Sequence, residues 1–232
     1  MILFLGDSFT WGQGLSIPYL LQKGKTIDEI NELTPPQFAC ENYDYGADEY
    51  RKKHHFPNLV AKHFNRPYGA KWGNGGNNSD IEHIIENIHT QLVDVDNAID
   101  FYIIQFTEPQ RDINLKTHVD NGENPDEVLY KHSLKTIQKI DTACKKQNNK
   151  WFGFSWYSDI GNILETKYKE NYIPILFNNN EYNNFQILRE QCEFCIDCTI
   201  DNRLYDSHLN SDGHVVIANS IIRKIKDRKS VV

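Results

Sequence analysis

The sequence predicts a three-layer α/β domain with a mainly parallel sheet. Short apolar runs alternate along the chain with segments of helical periodicity, which is the pattern of strands joined by crossover helices. The run at 99–107 (IDFYIIQFT) is almost continuously apolar, as expected for a parallel strand that is covered on both faces. Every motif described below follows a predicted strand. Because sites in such sheets lie at the carboxyl ends of the strands, this placement favours the same fold.

The first part of the chain predicts one strand, two helices and a long excursion. Residues 1–5 form an apolar run long enough for one buried strand, which Gly6 ends. Residues 9–15 are expected to form a short helix or turn. Residues 16–50 are polar and aromatic and are interpreted as an excursion over the core. Residues 55–64 carry apolar side chains at helical spacing and predict a helix.

The middle of the chain continues the alternation. Residues 68–72 predict a short strand that leads into a segment rich in Gly and Asn at 73–78. The clearest helix follows, with isoleucines at helical spacing between 81 and 88 and an Asn or Ser cap before them. Residues 112–125 are expected to form a loop, and 126–146 a long helix.

The last part predicts two strands and a terminal helix. Residues 151–156 (WFGFSW) read as a core strand. Residues 157–190 show no clear pattern apart from a turn at the three asparagines 178–180. A last short strand is expected at 195–200, and 211–226 predict an amphipathic helix.

Composition and charge limit the function classes. The 232 residues suit a single domain spanning 1–232, with 39% apolar and 25% charged residues. The formal net charge of −7 disfavours nucleic acid or an anionic membrane as the main partner. No membrane span and no secretory signal are evident, so the sequence predicts a cytoplasmic protein. The oligomeric state is left open.

The five cysteines are expected to be free thiols. Cys192, Cys195 and Cys198 form a C-x-x-C-x-x-C run, for which a metal or cluster site is the alternative interpretation. No second pair of ligands at metal-binding spacing accompanies the run. We therefore predict no metal and no cofactor.

Ser8 is the strongest candidate for a catalytic residue. It follows the first predicted strand in Gly6-Asp7-Ser8 and begins a turn towards a helix. Such a turn exposes the hydroxyl and points backbone N–H groups to where an oxyanion would form. The alternative is that Ser8 merely caps the helix.

The partners of such a nucleophile stand near the other end of the chain. Asp206 and His208 are separated by one residue, so that a single loop can present both side chains to one place. His208 would act as the base and Asp206 would orient it; the alternative is a loop histidine. His214 is a rival base, but it lies within the predicted terminal helix and is expected to be structural.

These two patches resemble the SGNH/GDSL family of esterases and lipases. GDSFTWGQGL at 6–15 is similar to the family's first block, which carries the nucleophile, and DSHLNSDGH at 206–214 is similar to its last block. The resemblance spans the chain in order but is carried by four short patches. It implies a three-layer α/β/α sandwich with a flavodoxin-like sheet and a Ser-His-Asp triad formed by Ser8, His208 and Asp206.

The family's second block supplies a glycine to the oxyanion hole, beside the N–H of Ser8 itself. Gly75 is the best match, with Gly76 next, because a missing side chain lets a backbone N–H approach the developing charge. The alternative for both is a flexible turn between strand and helix. Asn77 and Asn78 follow directly and are candidates for substrate binding.

The third block departs from the family, whose pattern there is Gly-x-Asn-Asp. Glu108 fills the Asn position, or Thr107 does so in a shifted register. Three interpretations stay open: Thr107 donates to the oxyanion, Glu108 turns away towards Arg111, or two backbone donors suffice. Glu108 and Arg111 are also candidates for substrate binding; their alternative is a surface ion pair.

The resemblance implies a serine esterase that passes through an acyl-enzyme. No long apolar lid is visible, and the excursion is rich in Tyr, Asn and Gln, so a short-chain acyl ester is expected, with an acetylated carbohydrate as the substrate we favour. Two alternatives remain. One is an O-acyltransferase with the same triad, and the other is a catalytically impaired carbohydrate-binding or scaffold protein. A metallophosphoesterase is a third, less favoured alternative.

Overall fold

The computed structural model describes residues 1–33, 45–72, 77–91, 99–196 and 208–229. Within these ranges the fold is mixed α/β, with a sheet of four parallel strands in the order β2-β1-β3-β4. The predicted α/β class with a parallel sheet is therefore confirmed. The four strands are β1 (Ile2–Gly6), β2 (Tyr68–Trp72), β3 (Phe101–Phe106) and β4 (Lys150–Ser155).

Helices connect and cover these strands. In chain order they are α1 (Ser8–Trp11), α2 (Ile17–Gln22), α3 (Ile27–Asn31), α4 (Tyr45–His54), α5 (Phe56–Phe64), α6 (Asn78–Gln91), α7 (Leu115–Asp120), α8 (Pro125–Lys146), α9 (Ser158–Lys167), α10 (Gln186–Glu190) and α11 (Ser211–Lys229). Short 3-10 turns lie at Pro109–Arg111 and Cys192–Phe194.

The sheet is buried on both faces, which explains why its strands are apolar almost throughout. On one face, Ile2, Phe4 and Ile103 pack with α5 and α11. On the other face, Leu3 and Leu5 pack with α6, α8 and α9. Successive side chains of a strand point to opposite faces, so both sets must be apolar.

The chain continues the sheet past β4 with a single parallel bridge. Tyr172 bridges Gly153, and the N–H of Ile173 donates to the Gly153 carbonyl at 2.8 Å. A small antiparallel hairpin follows, formed by β5 (Ile175–Phe177) and β6 (Asn180–Tyr182). Asn178 and Asn179 in its turn have positive φ, so the predicted turn at the three asparagines is confirmed.

Three predictions made from local pattern were incomplete. The loop expected at 112–125 contains α7, a helix of six residues none of which is buried. The unassigned region 157–190 contains α9, which buries apolar side chains at helical spacing and which periodicity could have found. Of the strand expected at 195–200, Cys195 makes one antiparallel bridge with Leu209, Ile196 is already helical, and 197–200 lie outside the described residues.

The described parts of the 16–50 excursion are helical. Helices α2, α3 and α4 enclose a separate apolar cluster that includes Ile17, Leu20 and Ile30. None of the helices in the described ranges combines the length and the apolar character needed to cross a bilayer.

Gly161 offers a test of the packing on α9. A Cβ at this position would lie 1.8 Å from the backbone carbonyl oxygen of Asn183, which cannot rotate away. Gly161→Ala is therefore expected to lower the free energy of unfolding by about 3 kcal/mol, measured by urea denaturation. Glu165→Ala, on the exposed side of the same helix, should change it by less than about 0.5 kcal/mol. Equal stabilities for the two variants would contradict this packing.

Candidate active site

The turn between β1 and α1 presents Ser8 at the carboxyl end of a central strand. Asp7 is the N-cap of α1 and accepts a hydrogen bond from the Phe9 N–H at 2.9 Å. Gly6 permits the close approach of the helix, since a Cβ there would lie 2.2 Å from the Thr10 hydroxyl oxygen. Ser8 is half-buried and is the first helical residue, so its N–H has no intrahelical acceptor.

A buried polar network holds this turn in place. The amide nitrogen of Gln105 donates to Asp7 Oδ1 at 2.7 Å, and the Thr10 hydroxyl donates to the amide oxygen of Gln105 at 2.7 Å. All three side chains are buried. Gln105 was not among the residues predicted for the site, although a single amide side chain within an apolar strand is a visible signal. The network fixes the backbone that carries Ser8.

His208 lies next to Ser8 although 200 positions separate them in the chain. The Ser8 Oγ is 2.8 Å from the His208 Nε2, which is within hydrogen-bonding distance. The ring of His208 also packs against Phe9, with centroids 4.5 Å apart. The structure therefore brings together the two residues that the sequence singled out as nucleophile and base.

The backbone around His208 is anchored on both sides. The His208 carbonyl accepts from the Ile196 N–H at 3.0 Å, and the Asn210 N–H donates to the Phe194 carbonyl at 2.8 Å. The side chain of Asn210 then caps α11 by accepting from the N–H groups of Asp212 and Gly213. His208 therefore lies in a short segment, fixed by backbone hydrogen bonds, that directly precedes α11.

Thr107 follows the end of β3, the strand that pairs with β1, just as Ser8 follows the end of β1. Leu5 pairs with Ile104 in the parallel register, so Ser8 and Thr107 both come three residues after this pair. The Thr107 N–H donates to the Asn78 side-chain oxygen at 2.8 Å, and the Asn78 amide nitrogen donates to the Thr107 carbonyl at 3.0 Å. These bonds occupy the Thr107 backbone, which leaves its hydroxyl as the group able to donate to a ligand.

The same contacts define the position of Asn78. Its side chain is buried and both polar atoms bond to Thr107, so it links the start of α6 to the end of β3. Asn77 is half-buried just before it. Three other residues predicted for the site lie outside the described residues: Gly75, Gly76 and Asp206.

Glu108 and Arg111 lie just beyond Thr107, at the two ends of a short 3-10 turn. Within the described residues Glu108 forms no ion pair with Arg111. Its carboxylate lies near Tyr157, whose pKa is raised by partial burial and further by this negative charge. Tyr157 was not among the residues predicted for the site. Next to it, the ring of Trp156 packs against Phe9 at an angle of 40°, with centroids 4.1 Å apart. Phe9 in turn contacts the ring of His208.

His214 is buried within α11, where the sequence placed it as a structural residue. Its Nδ1 accepts a hydrogen bond from the Phe56 N–H at 3.2 Å, and the two rings stack with centroids 5.7 Å apart. The remaining proton is therefore on Nε2, which has no hydrogen-bond partner in the described part of the chain. Burial lowers the pKa of His214 well below its ordinary value.

These buried histidines predict a pH-dependent stability. Burial, and then the charge of Arg51, lower the pKa of His55 from 6.5 to about 3. The unfolded chain then binds more protons than the fold below about pH 6.5, so the free energy of unfolding falls as the pH drops. Each such histidine contributes up to about 1.4 kcal/mol per pH unit.

The variant His214→Phe keeps the stack on Phe56 and removes one titrating group. We expect urea unfolding between pH 6.5 and 5 to show a shallower pH dependence for this variant, while His63→Gln, at an exposed histidine of α5, keeps the wild-type slope. Identical slopes for His214→Phe and the wild type would contradict the assignment of a buried neutral His214.

The described residues contain no group of three His, Cys, Asp or Glu side chains able to hold a metal ion. In the C-x-x-C-x-x-C run, Cys195 is buried and its thiol donates to the Arg189 carbonyl at 3.2 Å. Cys192 lies in a 3-10 turn, and Cys198 falls outside the described ranges. Comparisons of the chain with protein-family models, with curated proteins and with solved structures found no match.

Proposed function

We propose that the protein is a serine esterase of the SGNH/GDSL type that hydrolyses short-chain acyl esters. The contact of 2.8 Å between the Ser8 hydroxyl and the His208 imidazole carries this proposal. A serine hydroxyl is a poor nucleophile by itself, and an imidazole at this distance can accept its proton. The third member of the proposed triad is Asp206.

The surrounding geometry supports acyl transfer as the chemistry. Ser8 would attack the ester carbonyl while His208 takes its proton, and His208 would then return the proton to the leaving alcohol. The acyl-enzyme would be hydrolysed by a water molecule that His208 deprotonates in the same way. No cofactor takes part in these steps.

Stabilisation of the oxyanion is proposed to come from three donors. The N–H of Ser8 has no acceptor among the described residues, and Gly75, with Gly76 as its neighbour, is proposed to supply a second N–H. The hydroxyl of Thr107 is proposed as the third donor, because the backbone of Thr107 is already bonded to Asn78. Glu108 beside Tyr157 would then stand outside the hole, where its charge does not oppose the oxyanion.

The strand order supports the proposed fold family. The order β2-β1-β3-β4 is that of the first four strands of a flavodoxin-like sheet, and Ser8 and Thr107 follow its two central strands. An α/β/α sandwich of the SGNH type has its site at this edge. We propose an acetylated carbohydrate as substrate from the Tyr-, Asn- and Gln-rich composition of the excursion.

Labelling with a fluorophosphonate probe tests the proposed nucleophile. We expect the wild-type protein to form one covalent adduct, and peptide mapping to place it on Ser8, because only an activated serine attacks the probe at a useful rate. The variant Ser8→Ala should remain unlabelled, whereas Ser133→Ala, at a buried serine that donates to the Leu129 carbonyl, should label like the wild type. A folded wild-type protein that fails to label would instead indicate a non-catalytic binding or scaffold protein.

A further inference from the structure

A groove lined by lysines and tyrosines lies apart from the candidate active site. It has a volume of about 460 Å³, within the range of about 300–1,000 Å³ typical of small-molecule sites. Helices α2, α4 and α5 and strand β2 form its walls. Its lining includes three lysines and three tyrosines: Lys52, Lys53, Lys62, Tyr19, Tyr50 and Tyr68. Tyr68 pairs with Ile2 at the amino end of the sheet, whereas Ser8 follows its carboxyl end.

The described residues that line the groove include three lysines and one glutamate, on a chain whose net charge is −7. Lys53 and Lys62 are exposed and have no ion pair with any described residue. Both ammonium groups lie near His54. The pKa of His54 is lowered first by burial and then by these two positive charges. Glu49 contributes one opposing charge at the rim.

The third lysine, Lys52, is paired with a buried carboxylate. Lys52 forms an ion pair with Asp48 at 2.5 Å, and the buried Arg51 donates to the same carboxylate at 2.5 Å. Although burial opposes ionisation of Asp48, the hydrogen bonds from Lys52 and Arg51 keep its pKa below the ordinary value. Among the described contacts, one carboxylate thus pairs with two cations.

The tyrosines provide aromatic and hydroxyl surface beside this charge. Tyr50 stacks on His54 with ring centroids 4.3 Å apart, and Tyr19 lies 6.1 Å from Tyr50. The Tyr68 hydroxyl is bonded to His55 Nε2 at 3.0 Å. Gly46 admits the Tyr19 ring, because a Cβ there would lie 2.0 Å from the Tyr19 hydroxyl oxygen. The aromatic wall is thus built by close packing.

We propose that this groove binds a sugar unit that carries an anionic group. Ammonium groups of Lys53 and Lys62 would neutralise a carboxylate or phosphate, and concave walls of one sign of charge concentrate such ions. Tyrosine rings offer an apolar face with a polar edge, which suits a ligand that has both C–H faces and hydroxyl groups. The proposal does not depend on the esterase chemistry proposed for Ser8.

Ligand-observed NMR titrations at low ionic strength test the proposal with four probes. Glucuronate and glucose 6-phosphate are expected to bind saturably and at least tenfold more tightly than glucose or inorganic phosphate. The double variant Lys53→Gln/Lys62→Gln should weaken both anionic sugars at least tenfold. The matched control Lys135→Gln/Lys146→Gln, on α8 at the opposite face of the sheet, should bind like the wild type.

A second variant separates the aromatic contribution from the charge. Tyr50→Leu should weaken the anionic sugars and leave the weak binding of inorganic phosphate unchanged, with the fold checked by urea unfolding. The proposal is overturned if neither anionic sugar binds saturably, if inorganic phosphate binds as tightly as the sugars, or if the double lysine variant keeps the wild-type affinity.

Discussion

We expect Ser8→Ala to lower kcat for a short-chain aryl ester by about 10⁴-fold or more. The variant His208→Ala and the double variant should lower kcat by the same factor. The reason is that the hydroxyl and the imidazole act as one unit across their 2.8 Å contact. Without the Ser8 hydroxyl, the His208 imidazole has no proton to accept. Without the imidazole, the hydroxyl has no base to activate it. The second replacement then removes nothing further.

Initial rates with an aryl acetate measure this effect, and urea unfolding establishes that each variant is folded. Ser133→Ala and His63→Ala serve as matched controls, since one removes a buried helical serine and the other an exposed helical histidine. Independent effects, in which the double variant loses the product of the two single losses, would show that Ser8 and His208 do not work together. Single variants that stay within tenfold of the wild type would exclude the proposed mechanism.

The second large effect is expected at Thr107. The variant Thr107→Val keeps the shape of the side chain and removes the hydroxyl, and we expect kcat to fall about 100- to 1,000-fold with little change in KM. A hydroxyl that bonds chiefly to the developing oxyanion stabilises the transition state more than the bound substrate. The two backbone bonds between Thr107 and Asn78 do not involve the side chain and should persist.

Thr107→Ser is the matched control, because it retains the hydroxyl and should recover most of the activity. Steady-state kinetics of the two variants, with unfolding free energies within about 1 kcal/mol of the wild type, separate a lost donor from a damaged fold. If the valine variant stays within threefold of the wild type, the oxyanion is held without Thr107. An equal loss in both variants would point to packing and not to the hydroxyl.

Much of the fold was predictable because its signals are local. The apolar run before Gly6 and the helical spacing at Phe56–Phe64 each depend on residues within a few turns of one another, and both elements form as predicted. Helix α7 was not predicted because its six residues bury no side chain and are too few for a distinctive helical period. The burial of the strands on both faces was readable from their continuous apolar composition.

The candidate site was predictable in part. Ser8 and His208 were selected by motif and by their position after strands, but Gln105 and Asn78 were not assigned the contacts that they make. An amide side chain has the same appearance in a sequence whether it binds a ligand, faces solvent or bridges two backbone segments. Which of these it does depends on the partner that the fold brings to it.

The sequence by itself determined the α/β class, the four strands of the parallel sheet and several candidate site residues, because the periodicity of strands and helices is visible in neighbouring side chains. Only the tertiary structure decided that Ser8 meets His208, that Asn78 occupies the backbone of Thr107 and that the lysines of α4 and α5 share one groove with Tyr68. The first two of these contacts join residues 200 and 29 positions apart in the chain. They follow from the parallel register of the sheet and from helix packing, which no local pattern encodes.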